Sequence, residues 1–343
     1  MSKPTVFISG ANGFIAQHIV KQLLDSKAYK VVGSVRSTAK ADKLKSDFGN
    51  NPDLSLVIVE DLSKLDAFDS VFKEHGASFD YIFHTASPHN FSFEDFENSV
   101  IVPAVNGTKN IFEATVKYAP NVKKFVQTSS AAAMINLGPG EEAKKPVTEE
   151  SWNLLTLDQA MHSALTSYMY SKTTAEKTLW NLHQKLSPNF TLTVLSPAYT
   201  FGPQCFDSAA SDGVNVSNRP INDVVHSTPQ DFTLENTTGN FVDVRDVAKA
   251  HLEAITNDKL NGHRLLLGEA EFTSQDIADI INTNFPELQG KIIKDVHISG
   301  ESGPDFSFKM DNHVTKELLG FKLIDLSTSV TDTVEQLLRV SKK

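Results

Sequence analysis

Short apolar runs alternate with stretches of helical period through the first two-thirds of the chain. Thr5-Val6-Phe7-Ile8-Ser9 reads as a buried strand. It runs into Gly10-Ala11-Asn12-Gly13, after which Ile15, Ile19, Leu23 and Leu24 mark one face of a helix. Val31-Val32-Gly33-Ser34-Val35 and Leu54-Ser55-Leu56-Val57-Ile58-Val59 read as further strands, and Tyr81-Ile82-Phe83 starts another. Lys124-Phe125-Val126-Gln127-Thr128 and Leu192-Thr193-Val194-Leu195 complete the set. Between them, 96–118 has apolar residues at helical spacing with Pro103 as an early interruption, and Tyr168 to Leu186 is helical. Nearly all-apolar strands alternating with helices predict a parallel sheet covered on both faces.

The pattern changes near Pro197. Residues 203–238 are rich in Ser, Asp, Asn and Pro, with little periodicity. Asn240-Phe241-Val242-Asp243 then resembles a short strand leading into a helix over 244–256, and Arg264-Leu265-Leu266-Leu267 is another strand. Thr273 or Ser274 can cap a helix through Ile277, Ile280 and Ile281, ended by Pro286. A helix near 312–319 stops at Gly320. The expected fold is therefore α/β, a Rossmann-type doubly wound parallel sheet with a smaller, interleaved C-terminal lobe. Residues 1–197 and about 239–262 form the nucleotide-binding body. About 198–238 and 263–343 form the substrate lobe.

Composition narrows the function classes. The 42 acidic and 32 basic residues leave a net charge of −10, which argues against a general nucleic-acid or anionic-membrane binder. No apolar stretch reaches the ~18 residues that suggest a membrane span. Cys205 is the only cysteine, so no intrachain disulfide forms, which suits a reducing compartment. The cytoplasm is the expected location, since no targeting segment precedes the first strand. No His or cation neighbours Cys205 in sequence, so it reads as an ordinary small side chain rather than a reactive thiol. The His residues show no zinc-ligand spacing, and no metal is expected.

Gly10-Ala11-Asn12-Gly13-Phe14-Ile15-Ala16 sits between a strand and a helix, where a dinucleotide pyrophosphate meets free backbone N–H groups and the helix dipole. Gly10 permits the tight turn and Gly13 lets the backbone approach the phosphate. Ala16 is small enough for the helix to pack closely on the strand. An acidic residue at the end of the second strand binds the ribose hydroxyls, whereas a cation there binds a 2′-phosphate. Here Arg36 stands at that point with Lys40 four residues on, and no acid lies between positions 31 and 41. Arg brings a planar fork and Lys a point charge, so the cofactor read from these residues is NADPH. Asp61 and Leu62, after the third strand, are placed either to meet the adenine or to cap the following helix.

Tyr168 and Lys172 lie four residues apart and share a helical face. A fixed ammonium beside a phenol favours the phenolate and brings a poor acid nearer the range useful for general acid–base catalysis. Tyr170 lies roughly 200° from Lys172 around the helix and Tyr168 about 40°, which assigns the chemistry to Tyr168. Thr128-Ser129-Ser130 ends a strand at the carboxyl edge of the sheet, where ligands bind in such folds.

Ser130, Tyr168 and Lys172, in that order, resemble the short-chain dehydrogenase/reductase superfamily. Chain length and the late lobe resemble its extended branch. So do His84-Thr85-Ala86-Ser87-Pro88, Asn106-Gly107-Thr108, the run from Ser196 to Pro203 and the run from Phe241 to Ala248. Within the branch, Ser9 to Val20, Gly33 to Ser37 and Asp243 to Leu252 look like yeast NADPH-dependent methylglyoxal/3-methylbutanal reductases. The resemblance implies reduction of aldehydes, 2-oxoaldehydes and ketones. On it, Ser130 polarises the carbonyl and Tyr168 donates the proton. Lys172 holds the nicotinamide ribose and lowers the Tyr168 pKa. Gly10, Ala11, Asn12, Gly13, Phe14, Ile15, Arg36, Lys40, Asp61 and Leu62 bind the adenosine half of NADPH. Ala86, Pro197, Thr200 and Ser217 match further cofactor contacts. Asn106 either supports Lys172 through water or is a structural helix residue. The expected partner is a small carbonyl substrate, with the chain a monomer or homodimer. The rival functions are a nucleotide-sugar epimerase or dehydratase of the same branch and a non-catalytic NADP-sensing regulator.

The substrate pocket is expected at His89, Ala131 and Tyr199. Relatives often carry an aromatic residue after the catalytic Ser, so Ala131 predicts a wider pocket, and His89 adds a polar edge. Ala131→Tyr is expected to shift the ratio of kcat/KM for bulky over small ketones towards the small ones. An unchanged ratio across a substrate panel defeats this expectation.

Overall fold

The computed structural model describes residues 2–87, 95–136, 141–230, 234, 236–296 and 308–341, and His89 lies outside them. The apolar runs become β1 (Thr5–Ser9), β2 (Lys30–Val35), β3 (Leu54–Ile58), β4 (Tyr81–His84), β5 (Lys124–Thr128) and β6 (Thr191–Pro197). Four more follow: β7 (Tyr199–Phe201), β8 (Thr238–Asp243), β9 (Arg264–Leu267) and β10 (Ala270–Thr273). Seven of them form one parallel sheet in the order β3-β2-β1-β4-β5-β6-β9. The order reverses between β1 and β4, which opens a crevice beyond their carboxyl ends.

Period-two alternation explains why both faces are apolar. Val6 and Ile8 point to one face, where helices Phe14–Asp25 and Val244–Thr256 pack together. Phe7 points to the other and meets the rings of Phe68, Phe72 and Phe79 at 6.2, 4.9 and 5.1 Å between centroids. That face is covered by helices Val102–Tyr118 and Ala164–Leu186.

The second body is a three-stranded sheet, β10-β8-β7. Helices Arg219–Val225, Ser274–Asn284 and Leu326–Ser341 surround a core that includes Phe201, Phe241, Phe272, Ile277 and Val334. Two strands lie differently from the sequence expectation. β9, expected in the lobe, is the edge strand of the large sheet, because its apolar run pairs with β6 and needs cover on both faces. β8, expected in the nucleotide-binding body, pairs with β7 and β10 in the small sheet. The helix carrying Tyr168 starts earlier than periodicity indicates, at Ala164. Ser163 caps it by accepting from the Thr166 N–H, and Thr166 reciprocates towards the Ser163 backbone. Thr273 is the cap of the Ser274–Asn284 helix, again with a reciprocal partner at Asp276. Helices Thr38–Asp47 and Leu326–Ser341 were not among the expected elements. The first has only Ala41 and Leu44 buried, too few apolar positions to show a period.

Candidate active site

The site grows from the ends of β1, β2, β4, β5 and β6. Gly10 takes a left-handed φ of 68°, and a Cβ there would stand 3.0 Å from the Cβ of Ala86. Gly33 is equally constrained, since its Cβ would come within 2.6 Å of Ala11. Ser34 holds the turn, accepting the Gly10 N–H on Oγ at 3.2 Å and the Ala11 N–H on its carbonyl at 2.9 Å. The Phe14–Asp25 helix then begins with no side-chain cap and no acid in its first turn. Among the described residues no side chain caps its leading N–H groups, as an anion site requires. Asn12 accepts from the Gln17 side chain on its carbonyl at 2.9 Å, Ile15 packs against the core, and Phe14 meets the His18 ring edge-on.

β1 and β4 are tied by a network that sequence reasoning missed. Ser9 Oγ accepts the N–H groups of Thr85 and Ala86, each at 3.1 Å. Its own proton therefore goes to Nδ1 of His84 at 2.8 Å, which leaves the ring proton on Nε2, facing Thr108 Oγ1 at 3.4 Å. Burial, with the Lys172 charge adding to it, pushes His84 down to about 3, so the ring is neutral. The spacing of Ser9 and His84 at two strand ends carries no signal until register brings them level.

Arg36 and Lys40 are exposed beyond β2, and their side chains make no hydrogen bond or ion pair among the described residues. Asp61 sits near Arg36. Its Oδ1 accepts from the Ser63 hydroxyl at 2.6 Å and N–H at 2.9 Å, which holds its carboxyl below the usual range. Asp61 thus caps its own turn and keeps Oδ2 without a hydrogen bond among the described residues. Leu62 is buried against Gly107, whose Cβ would overlap its Cδ1, so its side chain is core.

Ser130 follows β5 in extended conformation and accepts the Ala132 N–H at 3.2 Å. The helix carrying Tyr168 packs against the Ala131–Ala133 turn, and Met169 and Ala131 share one apolar cluster. Buried Lys172 places its ammonium 5.6 Å from the centroid of the Tyr168 ring. Tyr170 has no such contact with Lys172, as the helical spacing requires. Tyr199, on β7, has its phenol pushed up to about 12 by burial, with Tyr168 adding to the shift. Ala131 is only 3 % exposed and belongs to an apolar cluster with Met134, Met169 and Phe308. Pro197 ends β6 and pairs with Leu267. Thr200 is buried in β7, and its carbonyl accepts from Ser217 Oγ at 2.5 Å, fastening the 216–218 turn. Asn106 makes no side-chain hydrogen bond among the described residues. Cys205 has its thiol pushed up to about 12 by burial, away from reactivity. No group of three or more potential metal ligands occurs among the described residues, and no described helix is long and apolar enough to cross a membrane.

A doubly wound sheet with a glycine turn at its switch point and a Tyr–Lys pair beside it defines the class. Residues 6–268 match the NAD dependent epimerase/dehydratase family, and the chain belongs to that family, in the extended short-chain dehydrogenase/reductase group. It is 43% identical over 338 residues to the NADPH-dependent methylglyoxal reductase GRE2 of Saccharomyces cerevisiae, covering 98% of each chain. It is 42% identical over 341 residues to the putative NADPH-dependent methylglyoxal reductase GRP2 of Candida albicans, covering 98% of this chain and 99% of the other. The crystal structure of yeast methylglyoxal/isovaleraldehyde reductase Gre2 complexed with NADPH superposes with a TM-score of 0.91 at 42% identity, over 98% of this chain and 99% of that one.

Three buried histidines set an acid limit on the fold. Burial lowers His18 to about 4, His84 to about 3 and His251 to about 4, so each is neutral when folded. Unfolded histidines take up protons near pH ~6.5, so below that pH the unfolded chain binds more protons and stability falls. Asp246 works in the opposite sense, because burial raises it to about 6 and it is protonated first in the folded state. Three groups outweigh one. Each histidine is expected to cost about 2 kcal/mol by about pH 5. Thermal unfolding should show Tm falling below about pH 6.5, with a shallower slope for His251→Gln.

Proposed function

We propose that this chain is an NADPH-dependent carbonyl reductase that converts small aldehydes, 2-oxoaldehydes and ketones to alcohols. The observation that carries the reading is the Lys172 ammonium over the Tyr168 ring, beside a nucleotide crevice whose second strand is followed by Arg36, a cation whose side chain makes no hydrogen bond or ion pair among the described residues. Full-length relatives named as NADPH-dependent reductases support it. The residues present fit the cofactor: Gly10 keeps clear a space that a Cβ would fill, the Phe14–Asp25 helix offers free N–H groups, and Arg36 with Lys40 suits a 2′-phosphate.

NADPH supplies the hydride when bound. Ser130, at the end of β5, donates its hydroxyl to the substrate oxygen and polarises the carbonyl. Tyr168 gives its proton to that oxygen as negative charge develops. Lys172 offsets the charge left on the phenolate and hydrogen-bonds the nicotinamide ribose. Tyr199, held protonated by burial, forms a wall beside Tyr168. We read Ala131 and His89 as part of the same substrate pocket, with Ala86, Pro197, Thr200 and Ser217 along the cofactor. The chain works in the cytosol as a monomer or homodimer; the absence of any disulfide-forming pair supports the first point. A nucleotide-sugar epimerase would hold NAD at this edge, where Arg36 and Lys40 favour the 2′-phosphate.

Oxidation of NADPH with a panel of aldehydes, 2-oxoaldehydes and ketones tests the activity. Tyr168→Phe is expected to lower kcat about 10²- to 10⁴-fold while NADPH still binds; retained turnover removes Tyr168 as the acid. Arg36→Glu should lower the preference for NADPH over NADH about 10- to 100-fold, the worth of a charge-assisted hydrogen bond. An unchanged cofactor ratio refutes the phosphate assignment.

A further inference from the structure

Tyr168, Lys172 and Glu176 follow one another at four-residue intervals, so all three lie on a single stripe of their helix. The first two face the crevice. Glu176 is fully buried, one turn further along. Its Oε2 accepts the hydroxyl proton of Ser129 at 2.5 Å, and Ser129 is the residue immediately before Ser130. Its Oε1 accepts from Arg264 Nε at 2.5 Å and from Trp180 Nε1 at 3.3 Å. One carboxylate thus ties together the strand end that presents Ser130, the helix that presents Tyr168 and the edge strand β9.

The connections continue into a closed ring. Arg264 Nη1 donates to the carbonyls of Glu149 and Ser151, each at 2.8 Å, and its guanidinium lies 3.7 Å from the Trp152 ring centroid. Asn153, next along that segment, donates its N–H to the Ala133 carbonyl at 2.8 Å and its side-chain amide to the Ile135 carbonyl at 2.6 Å. The Ala133 N–H in turn donates to the Ser130 carbonyl at 2.9 Å. Ser130 is therefore gripped from both sides, by Ser129 through Glu176 and by its own following turn through Asn153 and Arg264. The Ser129 N–H donates to the Leu195 carbonyl at 2.7 Å, so this strand end has little freedom to shift.

We propose that Glu176 is a positioning residue for carbonyl reduction: through Ser129 and Arg264 it sets the placement of the Ser130 hydroxyl relative to the Tyr168 phenol. The inference rests on the reductase reading above. A buried ion pair contributes little net stability compared with well-packed apolar groups. What this pair does supply is a fixed distance between three elements. Two donors converging on one carbonyl oxygen need that distance, because hydrogen-bond donors act over a range of only a few tenths of an ångström. A misplacement of about 1 Å can cost about 100-fold in rate.

Ser129→Ala is the decisive variant. It removes the Ser129 donor and leaves the Glu176–Arg264 pair, Ser130, Tyr168 and Lys172 in place. Expected is a kcat, counted per NADPH-binding site, about 10- to 100-fold below the unmodified enzyme, with NADPH affinity unchanged. NADPH deuterated at the transferred position should show a primary isotope effect on that lowered kcat, as slowed chemistry requires. Glu176→Gln should show the same split where it folds and binds NADPH; where it does not, Ser129→Ala decides alone. An unchanged kcat per site in Ser129→Ala, or a lowered one with no isotope effect, overturns the proposal and leaves Glu176 a structural tie. An unmodified enzyme that oxidises no NADPH with any carbonyl instead overturns the reductase reading, so the two failures are told apart.

Discussion

The carboxyl edge depends on how closely β1 and β4 approach where the strand order reverses. Gly10 turns left-handed there, with no room for a Cβ against Ala86. Gly33 on β2 leaves equally little space beside Ala11. Ser9 then draws the backbone of Thr85 and Ala86 onto its hydroxyl, and His84 completes the tie as a neutral ring. Each of these contacts joins main chain to main chain, or to a side chain with no freedom to move. The crevice is thus preformed, with its N–H groups already aimed outward, and binding need not reorganise it.

Charge is distributed to match. Inside the sheet, histidines are stripped of charge by burial, and Glu176 is neutralised by Arg264. At the rim, Arg36 and Lys40 remain unpaired among the described residues. Lys172 is the exception, an ammonium buried beside an aromatic ring at the crevice. A charge held there, 5.6 Å from the centroid of the Tyr168 ring, faces an aromatic group and not a carboxylate.

Much of this was legible from residue order. Alternation of apolar runs and helices marked the large sheet, because a strand buried on both faces has no polar positions to spare. The glycine turn was readable because only a few residue types tolerate that backbone next to a phosphate. That Lys172 meets the ring of Tyr168 and not that of Tyr170 followed from helical rotation alone. The small sheet was less legible: β7 and β10 are short, and the membership of β8 and β9 turns on pairing partners far away in sequence. The Thr38–Asp47 helix buries too little apolar surface to announce itself.

Sequence by itself determined local chemistry: which residues can turn, cap, donate a proton or hold a phosphate, since these follow from covalent structure and from spacing within one element. Tertiary structure alone decided which distant residues meet. Ser129 and Glu176 are forty-seven positions apart, and Glu176 and Arg264 eighty-eight, so no period in the chain relates them. Leu62 and Gly107, forty-five positions apart, likewise meet so closely that a Cβ on the glycine would overlap Leu62 Cδ1. Parallel register brings such residues level, and register is set by the whole buried sheet rather than by any one strand.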